Sequence, residues 1–182
     1  MAELVFGLVA SLIAGFGARD QMLVAALAGR HGRPWAVLVI ALASTLGTIW
    51  LASWAAALLG HDLAAAPRSM LAALALGLGA MELIVRRQLR LPAEPTRSLG
   101  AFALVLLTLQ LTDGARFMLF ALAVATGAPW AVGLGGAIGS GVILAASWAA
   151  GQRLLQLPLA RVRRWLGIVL FLLALVLGWS AR

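Results

Sequence analysis

The sequence predicts an all-α, polytopic membrane protein: six transmembrane helices arranged as two inverted three-helix repeats. Three observations lead there. Hydrophobic residues make up 63% of the 182 residues and the mean hydropathy is +1.03, against an apolar share of roughly 45–50% in soluble domains. The apolar residues fall into six stretches, each close to the ~20 residues a helix needs to cross ~30 Å of hydrocarbon. The chain also repeats itself. Gly17-Ala18-Arg19 returns as Gly114-Ala115-Arg116, Pro34-Trp35-Ala36-Val37 as Pro129-Trp130-Ala131-Val132, and Ser53-Trp54-Ala55-Ala56 as Ser147-Trp148-Ala149-Ala150, at offsets of 97, 95 and 94 residues. Ordered recurrence at a near-constant offset indicates a duplicated unit.

The spans follow in order. The first runs from Leu4 to Ala28, the second from Pro34 to Leu59, and the third from Ala64 to Val85. The fourth runs from Leu99 to Thr126, the fifth from Pro129 to Ala150, and the sixth from Leu159 to Trp179. Residues 1–85 form repeat 1 and residues 99–182 form repeat 2. Between them, residues 86–98 form a linker that carries Pro92, Pro95, Glu94 and four Arg. The first stretch reads as a span rather than a cleaved signal peptide. It starts with Glu3 instead of a basic residue, and Arg19 and Asp20 stand at its centre.

An odd number of spans per repeat forces the two halves into opposite orientations. Arginine placement sets the direction. One side holds Arg30, Arg33, Arg86, Arg87, Arg90, Arg97, Arg153, Arg161, Arg163 and Arg164, and the other only Arg68 and Arg182. The rich side is cytoplasmic by the positive-inside rule. The expectation is a multi-pass protein of the cell (inner) membrane with both termini outside the cytoplasm. Its partners are then the lipid bilayer and a small solute or ion. The basic balance, net charge +8, is read as a topology signal and not as a nucleic-acid footprint. No pattern specifies an oligomeric state.

Composition narrows the chemistry. The chain has no Cys, which excludes disulfides, thiolate metal sites and cysteine nucleophiles. Its two His, His31 and His61, fall in predicted loops. Gly15-Phe16-Gly17 lacks the third glycine and the preceding strand of a nucleotide-binding loop. Neither an enzyme nor a bound cofactor is expected.

A charge at the centre of a span costs ~2.5–3.5 kcal/mol on insertion. The chain accepts that cost at Arg19 and Asp20 in the first span and at Asp113 and Arg116 in the fourth. Thr108, Gln110 and Thr112 stand close by. Arg19, Asp20, Gln110, Thr112, Asp113 and Arg116 are therefore the candidate substrate- or ion-binding residues. Asp113 and Arg116, three apart, can pair along one helix face. Arg19 and Asp20 have no oppositely charged residue three or four positions away. The first span must therefore meet a polar partner, and the symmetry-related fourth span supplies one. The glycines beside these charges, Gly15, Gly17 and Gly114, permit close helix approach or a local break. Gly135 and Gly139 in the fifth span read as packing positions. Ser44, Thr45, Thr48, Ser140 and Ser147 either line a cavity or bond back to helix carbonyls. Glu82, four residues before Arg86, reads as a local ion pair.

The two charge-bearing segments, Gly15-Phe16-Gly17-Ala18-Arg19-Asp20 and Thr112-Asp113-Gly114-Ala115-Arg116-Phe117, carry a resemblance. The chain resembles the transmembrane protein 165 family of cation/proton exchangers, in which each three-span repeat holds a Glu-x-Gly-Asp-Lys/Arg-Ser/Thr motif in its first span. The Gly and basic positions match in both segments. Gly15 and Thr112 stand at the Glu position, Ala18 and Ala115 at the Asp position, and Asp20 and Phe117 at the Ser/Thr position. The resemblance implies a small secondary transporter exchanging manganese or calcium for protons between helices 1 and 4. Asp20 and Asp113 would then be the displaced metal ligands. Two alternatives stand beside it. One is a non-transporting scaffold or partner subunit that keeps the fold. The other is a transporter of an anionic or zwitterionic solute, which the paired arginines suit.

Overall fold

The computed structural model describes residues 1–30, 35–85, 98–157 and 159–181. His31, Arg33, Pro34, nearly all of the linker with its four Arg, Pro158 and Arg182 lie outside the described residues. Among the described residues every regular element is helical. In chain order these are α1 (Ala2–Gly15), α2 (Arg19–Arg30), α3 (Trp35–Gly60), α4 (Ala65–Ile84), α5 (Leu99–Leu111), α6 (Gly114–Thr126), α7 (Pro129–Ala150), a 3₁₀ turn (Gly151–Gln156) and α8 (Leu159–Ser180).

Four helices, α3, α4, α7 and α8, are each long and apolar enough to cross a membrane. The number rises to six if the bent pairs α1/α2 and α5/α6 each count as one span. The expected boundaries hold to about one residue for the second, third, fifth and sixth spans. The first and fourth depart from continuous helices. α1 and α2 meet at 64°, and α5 and α6 at 51°. The first break has an evident cause. Phe16 turns extended (ψ 117°) and Gly17 takes φ +74°, a left-handed conformation that glycine adopts without steric cost. The second break needs no glycine. Thr112 leaves the helix and the extended Asp113 (φ −85°, ψ 140°) becomes the N-cap residue of α6.

Local signals account for the remaining ends. The Ser98 hydroxyl accepts from the Ala101 N–H at 3.3 Å and starts α5. Gly127, at φ +67°, ends α6, and Pro129 opens α7 at its first position, where a missing N–H costs nothing. α3 carries no charged residue over its 26 residues.

The helices pack through small residues. A Cβ on Gly7 would strike the Val132 carbonyl, one on Gly135 the Leu4 carbonyl, and one on Gly139 the Ser11 hydroxyl. α1 and α7 therefore touch backbone to backbone and run parallel, Leu4 beside Gly135 and Gly15 beside Ile143. α3 and α7 run antiparallel, with Gly133 against Ser53 and Gly141 against Leu42. α4 and α8 are also antiparallel, with Gly167 against Ile84 and Gly178 against Ala73. The polarity of the bundle is inverted relative to a soluble protein. Leu46, Leu74, Leu104, Leu134, Leu172 and Val176 are exposed, while Asp20, Gln110, Asp113 and Arg116 are buried. This arrangement fits a multi-pass membrane protein.

Candidate functional site

A helix break in a low-dielectric interior frees carbonyls at one end and N–H groups at the other, and each needs a partner. Side chains from elsewhere in the fold supply those partners here. Arg163, near the start of α8, donates to the carbonyls of Ala14 (3.1 Å) and Phe16 (3.4 Å) at the end of α1. Arg19, at the start of α2, donates to the Thr112 carbonyl and hydroxyl, both at 3.3 Å, beyond the end of α5. The Gly114 N–H, opening α6, donates to Glu82 of α4 at 3.2 Å. Each break is thus tied by a charged side chain from another part of the chain.

The same side chains join in one network. Glu82 pairs with Arg163 at 2.9 Å and with Arg19 at 3.3 Å. Arg116 lies 3.7 Å from Asp20 and 3.6 Å from Asp113, and Arg163 approaches the other oxygen of Asp113 at 3.6 Å. α3 contributes hydroxyls. Arg116 donates to Thr48 and Thr45, both at 3.3 Å, and Gln110 donates to Thr45 at 2.7 Å and to Asp20 at 3.2 Å. The other oxygen of Asp20 accepts from the Gln21 N–H at 2.7 Å. Three carboxylates, Asp20, Glu82 and Asp113, face three guanidiniums, Arg19, Arg116 and Arg163.

All six residues expected from the sequence therefore converge on the two breaks. Arg116 bridges the first and fourth spans through Asp20. Asp113 and Arg116 do approach, but across the start of α6 and not along a shared helix face, because Asp113 is the extended N-cap residue. Asp20 and Asp113, the expected metal ligands, both face Arg116. No group of three or more His, Cys, Asp or Glu among the described residues could hold a metal ion.

Two members of the network depart from expectation. Glu82 bonds to Arg163, Arg19 and Gly114 instead of serving only a local pair, and Arg86 lies outside the described residues. Arg163, counted among the cytoplasmic topology signals, is 9% exposed and reaches inward. Its neighbours Arg161 and Arg164 are exposed. No sequence periodicity separates the inward arginine from the outward two. Among the hydroxyls, Thr48 and Ser147 do bond back to helix carbonyls, Thr48 to Thr45 and Ser147 to Ile143. Thr45 and Thr48 serve the network as well.

One carboxylate stands apart. Asp113 is 2% exposed, yet neither of its oxygens has a hydrogen-bond partner. Its two guanidinium contacts at 3.6 Å are ion pairs beyond hydrogen-bond reach. A groove of about 430 Å³ has Arg116 and Thr48 among its lining residues. Its walls are apolar, with Leu74 and Leu78 of α4 and Phe117 and Phe120 of α6 among them. No protein-family model, curated protein or solved structure matches this chain.

Proposed function

We propose that the protein is a small secondary transporter whose translocation site is the charged network between the breaks of the first and fourth spans. Paired breaks carrying the charged residues are the plan of transporter sites built from inverted repeats. Helix direction supports the inverted relation. α3 and α7, which carry the repeated Ser-Trp-Ala-Ala, pack antiparallel, as do α4 and α8. Copies related by an axis along the membrane normal would run parallel.

Asp113 carries the functional reading. A structural lock gains most when each buried charge is fully hydrogen-bonded, and an unsatisfied buried acceptor costs ~1–3 kcal/mol. Asp113 holds two such acceptors at a helix break. It is poised to exchange loose ion pairs for a better partner.

Two substrate classes have support. The family resemblance favours a divalent cation exchanged for protons, and the two free oxygens of Asp113 are hard ligands of the required kind. Loading a cation on both oxygens then requires Arg116 to leave its position beside Asp20 and Asp113, and Arg163 to leave the other oxygen of Asp113. The arginines favour an anionic or zwitterionic solute instead. Glu82 already shows how a carboxylate fits between Arg19, Arg163 and the first N–H of α6, and a substrate carboxylate could take that place.

Flux in proteoliposomes tests the proposal. Manganese or calcium entry is followed under an outward proton gradient, in parallel with uptake of labelled amino acids and small carboxylates. We expect one class to move and Asp113→Asn to lower that flux at least ~10-fold, the equivalent of ~1.4 kcal/mol, while the protein still folds. No flux of either class, with Asp113→Asn altering only stability, would instead support a scaffold.

A further inference from the structure

A second cavity of about 230 Å³ opens between the end of α3, the start of α4, the end of α6 and the start of α7. Gly60, His61, Arg68, Val124, Gly127 and Pro129 are among its lining residues. It is separate from the charged network, and the proposed transport does not use it.

Arg68 gives the cavity its character. One terminal nitrogen donates to the Gly60 carbonyl at 3.1 Å and the Leu63 carbonyl at 3.2 Å. These bonds hold the side chain in place across the α3–α4 turn. The buried Nε has no hydrogen-bond partner. Among the described residues Arg68 forms no ion pair, unlike Arg19, Arg116 and Arg163. The acid nearest in sequence, Asp62, is almost fully exposed and bonded to His61 at 2.7 Å. α7, a 22-residue helix with no side chain capping its N-terminus, begins at the cavity wall and directs its positive dipole end there. A fixed guanidinium with spare donors and no counter-charge, facing a cavity, is complementary to an oxyanion.

We propose that this cavity binds an oxyanion of the phosphate class through Arg68, at the non-cytoplasmic face of the membrane. The ligand is either a soluble anion or the headgroup phosphate of an anionic lipid. The alternative role for Arg68 is capping of α3 alone, and the experiment separates the two.

Thermal unfolding of the full chain is measured in two arms. In neutral detergent, inorganic phosphate is compared with chloride at equal ionic strength. In nanodiscs, phosphatidylglycerol mixed with phosphatidylcholine is compared with phosphatidylcholine alone. A ligand at about five times its Kd should raise Tm by roughly 2–4 °C. The increment should vanish in Arg68→Gln and persist in part in Arg68→Lys. Ala57→Phe should also abolish it, because it fills the cavity and leaves the bonds from Arg68 to Gly60 and Leu63 intact. Stabilisation in the first arm identifies a soluble anion as sufficient, and stabilisation in the second alone identifies a lipid headgroup. No increment in either arm, or an increment that survives Ala57→Phe, would overturn the proposal.

Discussion

Glu82 and Asp113 are carboxylates of one network, Glu82 partly buried and Asp113 fully so, but they are held differently. Glu82 accepts at 2.9 Å from Arg163 and at 3.2 Å from the Gly114 N–H, and pairs with Arg19 at 3.3 Å. Asp113 has only two contacts at 3.6 Å. Removing one partner of a tightly bonded buried pair costs ~3–5 kcal/mol. Glu82→Gln should therefore destabilise the protein by about that amount, and Asp113→Asn by about 1 kcal/mol or less. Thermal melts in detergent check the order, and equal losses would mean that Asp113 is as structural as Glu82. At this scale the sequence was informative wherever charge and depth coincided. Arg19, Asp20, Asp113 and Arg116 stand out because a charge at mid-span needs a reason. Glu82 and Arg163 stand near span ends, where a charge is cheap, and nothing in their local spacing shows that they turn inward.

At the scale of elements, the breaks decide where the polar groups gather. Gly17 sets the first one. Alanine there would adopt a left-handed conformation and place its Cβ 2.9 Å from the Leu159 Cβ and 3.1 Å from the Arg163 Cδ. The conformational cost alone is ~1–2 kcal/mol. The overlap also presses on the arginine that caps α1. Gly47, in the middle of α3, meets nothing within 4 Å. Alanine at that position should stabilise the protein by ~0.5–1 kcal/mol. Gly17→Ala should thus lower Tm and Gly47→Ala raise it, by ~2–4 °C per kcal/mol. A rise for Gly17→Ala would show that the break is not a fixed feature. Four spans were legible because an uninterrupted apolar run has one reading as a helix. Leu4 to Ala28 and Leu99 to Thr126 were legible as apolar stretches but not as pairs of half-helices. Gly15, Gly17 and Gly114 are equally compatible with close packing, and only the tertiary partners of the freed backbone groups distinguish a break.

For the whole molecule, the proposed transport requires inverted halves, polar breaks and a site reached in turn from each side. Because the chain has no cysteine, single introduced cysteines report accessibility without a background, and this gives the most direct test. Thr48→Cys and Thr112→Cys probe the network, while Gln152→Cys and Ser180→Cys mark the two membrane faces. Each variant is treated in sealed vesicles with a membrane-impermeant thiol reagent applied from one side at a time. The arginine asymmetry predicts that position 152 reacts only from the cytoplasmic side and position 180 only from the opposite side. The central claim predicts that position 48, 3% exposed in this conformation, and position 112 react from both sides. Reactivity at neither, with both face markers labelled as expected, would contradict a translocation site at the paired breaks.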